Sequence, residues 1–475
     1  MAFDELRDDK GDERSAYAEV ARWIAATGLD NLAQRREEAE AIFRRIGITF
    51  AVYGEGGDPE RLIPFDLIPR VFSAAEWALL ESGIRQRARA LNAFVRDIYH
   101  RGEIIKAGII SADLIYSNAA FVPQMLGFDP PGGVYSHIVG IDIVRMGEND
   151  FAVLEDNCRT PSGVSYMLEN RSIMQRMFPH LFAGGMVRPV DTYPQMLFET
   201  LKEVAPPACM GEPMAVVLTP GPYNSAYYEH SYLADLMGVE LVESADLFVD
   251  TDGVWMKTTV GPRRVDVIYR RIDDDYLDPL AFKPDSLLGV PGLFHAYRGG
   301  QVTIVSAPGA GIADDKAIYV FVPEMIRFYL GEEAILPNVK TWRCALADER
   351  AYVLEHLHEL VAKEVHGSGG YGMLIGPKST KAEVEAYARR IRANPADFIA
   401  QPTLDLSTAP TLGAVDAKGS VDLVGRHVDF RPYCLVGKDI RLVPGGLTRV
   451  ALTPGSLVVN SSQGGGVKDS WVLER

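Results

Sequence analysis

Cysteine is scarce, positive charge is in deficit, and long apolar runs are missing. The 475 residues include four cysteines, Cys158, Cys209, Cys344 and Cys434, with no Cys-x-x-Cys pair. Scattered in this way they read as free thiols in a reducing compartment, with bridges between them the alternative. No stretch reaches the ~18 apolar residues of a membrane span. Residues 1–20, MAFDELRDDKGDERSAYAEV, lack the apolar core of a secretory leader. A cytoplasmic protein with no membrane partner is therefore expected. A formal net charge of −16 disfavours a nucleic-acid partner, which needs a basic surface. It does not disfavour a nucleotide, which a local cluster of donors can hold. Repeats and low-complexity linkers are absent, and no Gly-Lys-Ser/Thr leads into a helix as a phosphate loop requires.

What is present is ample core material, 47% hydrophobic, over a length that suggests roughly two to four domains. The first ~100 residues look helical. Ser73–Glu76 reads as a capping box ahead of Trp77, Leu80, Ile84, Leu91 and Val95 at helical spacing. ITFAVYGEGGDPERLIPFDLIP carries turn signals and at most one strand. From residue 134 the pattern changes to strand, turn and strand (VYSHIVGIDIVR, GEND, FAVLEDN), followed by helix over 165–205. Residues 214–250 read as strand, Gly/Pro loop, helix and strand, an α/β unit. The last third is strand-rich.

Five stretches bear on chemistry. In LVAKEVHGSGGYGMLIG a strand carries Lys363 on the face of Val361 and Val365 and enters a loop with glycines at 367, 369, 370 and 372. Backbone amides of such a loop can cradle anionic oxygens, with the lysine as counter-charge; a plain hairpin with a glycine tip fits equally. FIAQPTL ends at Gln401 and Pro402, either a hinge whose backbone meets an adenine edge or an ordinary strand end. In HVDFRPYCLVG, Asp429 and Arg431 share a face, so the aspartate can orient the arginine toward phosphate or carboxylate; the alternative is an ion pair on a solvated face. VVNSSQGGGVKD ends a strand at Asn460, before a glycine turn and Lys468. In GIDIVRMGENDFAVLEDNCRTPSG, Asp142 and Glu155 fall on adjacent antiparallel strands, and Asn157 shares the face of Glu155. Two carboxylates and an amide oxygen suit Mg²⁺, although an acidic hairpin facing water has the same pattern.

The order of these motifs resembles the ATP-grasp superfamily, cut at a different point. Lys363, the 367–372 loop, the 398–404 strand, Asp429-x-Arg431 and Asn460 follow in the usual order. The metal-binding strands at 142 and 155–157 stand near the front instead of at the end. This is similar to the circularly permuted ATP-grasp group that includes glutathionylspermidine synthetase and uncharacterised bacterial relatives. ADDKAIYVFVPEMIRFYLGEEAILPN supports it, being similar to the segment before the nucleotide lobe.

The resemblance implies an α+β or α/β chain. It would have a mainly helical region over 1–133 and the permuted metal-binding part over 134–210. A smaller Rossmann-like substrate domain would span 211–310, and the nucleotide-binding lobes 311–475. It implies that Asp142, Glu155 and Asn157 hold Mg²⁺. Lys363 and Gly367, Ser368, Gly369, Gly370, Tyr371 and Gly372 would hold ATP phosphates, with Lys316 and Asn460 contributing. Gln401 would frame adenine, and Arg431 would face the reacting phosphoryl or acyl group. One departure is Gly140, where the glutathionylspermidine synthetases carry an arginine; either Arg145 or Arg431 substitutes for it, or the acceptor chemistry differs. No region suggests their amidase domain. In the 211–310 domain, Arg270 and Arg271 would hold a substrate carboxylate and Glu229 a polar end, or else the arginines form an exposed strand end salted by Asp273–Asp275. Cys158 reads as packing, since nothing pairs it with a base.

The implied activity is ADP-forming ligation of a small-molecule or peptide carboxylate to an amine through an acyl phosphate. A phosphotransferase on the same fold and a non-catalytic nucleotide-binding protein are the rival readings.

Overall fold

The computed structural model describes every residue except 1, 9, 48, 52–59, 368–371, 417–419 and 460–464. Its largest sheet has seven strands, and they come from both ends of the chain. The path runs Phe65–Phe72, Gly466–Val472, Ile440–Val450, Leu423–Val436, Ile138–Arg145 and Phe151–Asn157, with Thr408–Leu412 also paired to Leu423–Val436. Phe65–Phe72 and Gly466–Val472 are parallel; the other pairs are antiparallel. Ile138–Arg145 (IVGIDIVR) is buried at every position. That follows from a near-continuous apolar run, which suits a strand covered on both faces.

The region 1–133, expected to be mainly helical, also supplies Phe65–Phe72 to this sheet, buried throughout. Pro69 lies within it and is tolerated because the strand is at the sheet edge, where one row of N–H groups has no ladder partner to serve. The helical part includes Ala18–Thr27, Leu29–Ile46 and Ala74–Tyr99. The expected capping box is formed: Glu76 N–H donates to Ser73 Oγ (3.2 Å) and Ser73 N–H to Glu76 Oε2 (2.8 Å). Another expectation fails. Ser456–Val459 is not strand, and the strand begins only at Gly466. Lys468 is not a turn residue but a buried ion-pair partner of Asp66, also donating to the Ile68 and Pro410 carbonyls.

Residues 215–305 contain a parallel four-stranded sheet ordered Thr303–Val305, Val267–Arg270, Ala215–Leu218, Glu240–Val242, with helix Tyr227–Met237 between two of its strands in sequence. A small antiparallel sheet (Leu247–Asp250, Gly253–Met256, Arg263–Val265) is appended. The third unit is antiparallel: Trp342–Arg343, Phe398–Pro402, Leu360–Glu364, Leu374–Ile375, with helices Ala347–His356 and Lys381–Ala393. Its separate core includes Val353, Leu357, Leu360, Ile391 and Phe398.

Candidate active site

The three units meet around one cavity of about 750 Å³, lined from the Phe151–Asn157 strand, the Leu360–Glu364 strand, the Leu423–Val436 strand and the short helical segments 273–276 and 311–316. The strand period governs what reaches it. Asp142 stands directly opposite Glu155, and Gly140 opposite Asn157. Alternation sends Glu155 and Asn157 into the cavity and Asp156 the other way. Asp156 is held there by Arg87 of helix Ala74–Tyr99 through two bonds (2.6 and 2.7 Å).

Asp142 is gripped by Arg431, which bonds both its oxygens, and by Arg449 Nη2 (2.7 Å). Burial alone would raise its carboxyl, but Arg431 and Arg449 hold it well below the usual carboxylate range. Glu155 is less engaged: Lys316 Nζ and Arg431 Nη2 each stand 3.7 Å away, beyond hydrogen-bonding distance. Lys316 Nζ donates to the Gly367 carbonyl at 2.5 Å. Lys363 Nζ donates to Gln401 Oε1 (2.8 Å), and Gln401 Nε2 to Thr341 Oγ1 (3.0 Å). Burial pushes the Lys363 ammonium down to about 8; Glu155 resists that and Lys316 adds to it.

Some sequence expectations meet here and others do not. Asp142, Glu155, Asn157, Lys316, Lys363, Gly367, Gln401 and Arg431 all line the cavity. Gln401 is 2% exposed and its side chain is occupied in fixing Lys363. Gly372 is not on the lining; its backbone is left-handed (φ 70), as glycine permits. Ser368, Gly369, Gly370, Tyr371 and Asn460 lie outside the described residues.

Asp429 does not orient Arg431, as the spacing suggested. It lies opposite Arg449 in register and bonds that residue, Nε at 2.9 Å, while Arg431 turns to Asp142 on the other neighbouring strand. Arg449 was missed, because nothing within its own strand marks it; the signal is cross-strand register. Gly140 is explained as well. A Cβ there would lie 2.8 Å from Pro161 and 3.5 Å from Arg431 Cδ, so the small residue admits the Pro161 turn and the Arg431 stem. Arg431, with Arg449, supplies the cationic charge at this point, whereas Arg145 is buried against Glu76 and Glu5.

The proposed substrate trio is corrected too. Arg270 is fully buried, donating to the Ser306, Ile272 and Ala307 carbonyls and paired with Asp274 (2.5 Å). Arg271 and Glu229 pair with each other (3.1 Å) beneath the 160–163 turn. Arg271 donates to the Pro161 carbonyl and Ser162 Oγ, and Glu229 accepts from the Gly163 and Ser165 amides. None of the three lines the cavity; they fix its wall, and they are not an exposed strand end. Cys158 is fully buried and its thiol is pushed up by burial, in keeping with packing.

Whether Asp142, Glu155 and Asn157 suit a metal ion turns on their donor chemistry. Among the described residues no group of three or more His, Cys, Asp or Glu is arranged to hold a metal ion. Asp142, Glu155 and Asn157 instead offer two carboxylates and an amide, a sparse oxygen set of the kind Mg²⁺ completes with water and phosphate. The Asn157 carboxamide nitrogen is buried with no partner; as an N–H donor it suits an anionic oxygen, and it is the amide oxygen that would face a cation.

Residues 69–451 match the family described as circularly permuted ATP-grasp type 2. The chain belongs to this family. It is an ATP-dependent C–N ligase of the ATP-grasp class, and its mixed architecture is the permuted ATP-grasp fold. The match does not single out glutathionylspermidine synthetases within the family.

An uncharacterised protein of Synechocystis sp. is 51% identical over 473 residues, 99% of this chain and 97% of that one. A putative glutamate–cysteine ligase of Frankia alni is 40% identical over 475 residues, all of this chain but 54% of that protein. A glutathione synthetase-like effector of Globodera pallida, solved in apo form, superposes with a TM-score of 0.59 over 92% of this chain and 96% of its own, at 11% identity. That likeness concerns the fold alone. Among the described residues no helix is long and apolar enough to cross a membrane.

Proposed function

We propose that this ATP-grasp chain activates a carboxylate with ATP and joins it to an amine, releasing ADP and phosphate. The observation that carries the reading is one cavity in which Lys316, Lys363, Arg431 and Arg449 converge on the oxygen donors Asp142, Glu155 and Asn157. Lys363 and Lys316, which line the cavity with Gly367, are suited to neutralise phosphate oxygens. The apolar side chains of Val361, Met373, Ile375 and Leu404 line the same cavity and suit the faces of an adenine ring. Arg431 and Arg449, held rigid by Asp142 and Asp429, present fixed donors where charge develops on a transferring phosphoryl group. Asp142, Glu155 and Asn157 would hold Mg²⁺, and the ion would supply positive charge to offset that of the phosphates. No side-chain nucleophile is needed, in keeping with the buried Cys158 thiol.

The name of the Frankia alni relative, glutamate–cysteine ligase, describes the same class of chemistry. That protein is almost twice as long as the matched region, so its substrates are not carried over.

The test pairs binding with product. Mg-ATP should raise the melting temperature of the wild type, and Lys363→Ala and Glu155→Gln should each lose most of that shift. Variants that respond as strongly as the wild type would defeat the site assignment. An ADP- and phosphate-release screen over paired carboxylates and amines, read by mass spectrometry, should find an amide only when an amine is supplied. A phosphorylated product that accumulates with the amine present would favour the phosphotransferase reading.

A further inference from the structure

An amine enters at neutral pH mostly as an ammonium and has no lone pair to attack with until a proton is removed. The acidic residues around the cavity differ in what already holds them. Asp142 is bound by Arg431 and Arg449, and Glu155 faces Lys316 and Arg431. Asp156 is bound by Arg87, Asp273 by Arg159 (3.0 Å) and Asp274 by Arg270 (2.5 Å). Asp315 is spent capping helix Lys316–Tyr319, accepting from the Ala317 and Ile318 amides and from Asn118. Asp275 is exposed to solvent.

Asp314 is different. It ends the short helix Ala310–Asp314, lines the cavity, and keeps 26% of its side chain exposed. The cation it faces, Arg159, stands 4.0 Å away and is already committed to Asp273. The backbone amides of Cys158 and Arg159 fix its orientation without neutralising it. Burial is the main influence on its carboxyl and raises it to about 7. Arg159 and the two amides resist, and Asp156 behind the strand adds repulsion. The other groups near it are the Cys158 thiol and Lys316, whose ammonium is turned to Glu155 and Gly367.

We propose that Asp314 is the general base that takes a proton from the ammonium of the acceptor amine, a role that rests on the ligase reading above. One proton passes from nitrogen to the Asp314 carboxylate, freeing the lone pair. The C–N bond forms as the carbon–oxygen bond to phosphate breaks. A second proton from nitrogen leaves with the phosphate, and Asp314 returns its own to solvent. The amide keeps one N–H, and no oxidant or further reactant is required.

The test uses the full chain with the carboxylate and amine found by the product screen, and hydroxylamine as an alternative acceptor. Hydroxylamine is largely neutral at pH 7 and needs no base. Asp314→Asn should keep the Mg-ATP melting shift and carboxylate-dependent hydroxamate formation. Its amide formation with the protonated amine should fall by about 10²-fold or more, the usual contribution of a general base. The inflection near pH 7 in the wild-type kcat/KM for the amine should disappear, and Asp314→Glu should recover part of the rate. Amide formation by Asp314→Asn within a few-fold of wild type would overturn the proposal. So would joint loss of the melting shift and of hydroxamate, which would mark a structural role. A wild type that gives neither amide nor hydroxamate with any carboxylate instead sinks the ligase reading, and the proposal with it.

Discussion

Lys363 is the residue whose charge state most directly controls ATP binding in the proposed site. Burial brings its ammonium down to about 8, so it is mostly protonated at pH 7 and loses its charge as pH rises beyond 8. Phosphate binding needs the charged form. Mg-ATP affinity, measured by calorimetry, should therefore weaken between pH 7 and pH 9.5, and Lys363→Met should bind more weakly at pH 7 and lose that dependence. The unliganded protein should show the opposite sign. The ordinary lysine value is 10.5, so between about 8 and 10.5 the unfolded chain holds the proton that the folded chain has shed. Stability attributable to Lys363 then rises with pH across that window. A wild type and Lys363→Met with parallel affinity profiles would contradict the role given to this lysine.

The legibility of the site at this scale follows from geometry. Asp142, Glu155 and Asn157 could be read because they depend on period-two alternation and one short turn. Arg449 could not, because its meeting with Asp429 and Asp142 depends on how three strands are registered side by side. Within-strand spacing gives the face a residue shares, but not the partner it meets across the ladder. The same limit misassigned Arg431 to Asp429.

At the scale of elements, helix Ala74–Tyr99 and strand Phe151–Asn157 act as a pair. The strand offers Glu155 and Asn157 to the cavity only while Asp156 is anchored on its other face, and Arg87 is that anchor, 1% exposed and bonded as well to Asn338 Oδ1 (2.7 Å). Arg87→Met leaves a buried carboxylate without its counter-charge. The expected cost is about 3–5 kcal/mol, visible as a lower denaturant midpoint. A double variant with Asp156→Leu should recover much of it, since the unpaired charge rather than the lost bond dominates. A single variant as stable as wild type would show that the strand is held by its ladder alone. Capped helices such as Ala74–Tyr99 were legible because their signals are local. Phe65–Phe72 and Gly466–Val472 were not: one contains a proline, the other follows a run of glycines, and their burial comes from each other across almost the whole chain length.

At the scale of the molecule, the permuted order has a mechanical consequence. The seven-stranded sheet takes Phe65–Phe72, Ile138–Arg145 and Phe151–Asn157 from the front of the chain and its remaining strands from the last quarter. Ile138–Arg145 pairs with Leu423–Val436, and Phe65–Phe72 with Gly466–Val472. Buried ion pairs cross the same seam, Lys468 to Asp66 and Arg171 to Asp469. A cut at 310/311 passes between the proposed substrate domain and nucleotide lobes, yet it divides this sheet. Each fragment then exposes unpaired strand edges and, on the Asp66 and Asp469 sides, a buried charge without its partner. Fragments 1–310 and 311–475 expressed alone should be insoluble or lack a cooperative melt. Expressed together they should copurify as a 1:1 complex on size exclusion and regain the Mg-ATP melting shift. If either fragment alone melted cooperatively, the two halves of the sheet would be separable. The strands proposed to hold the metal would then belong to a domain that stands without the proposed nucleotide lobe.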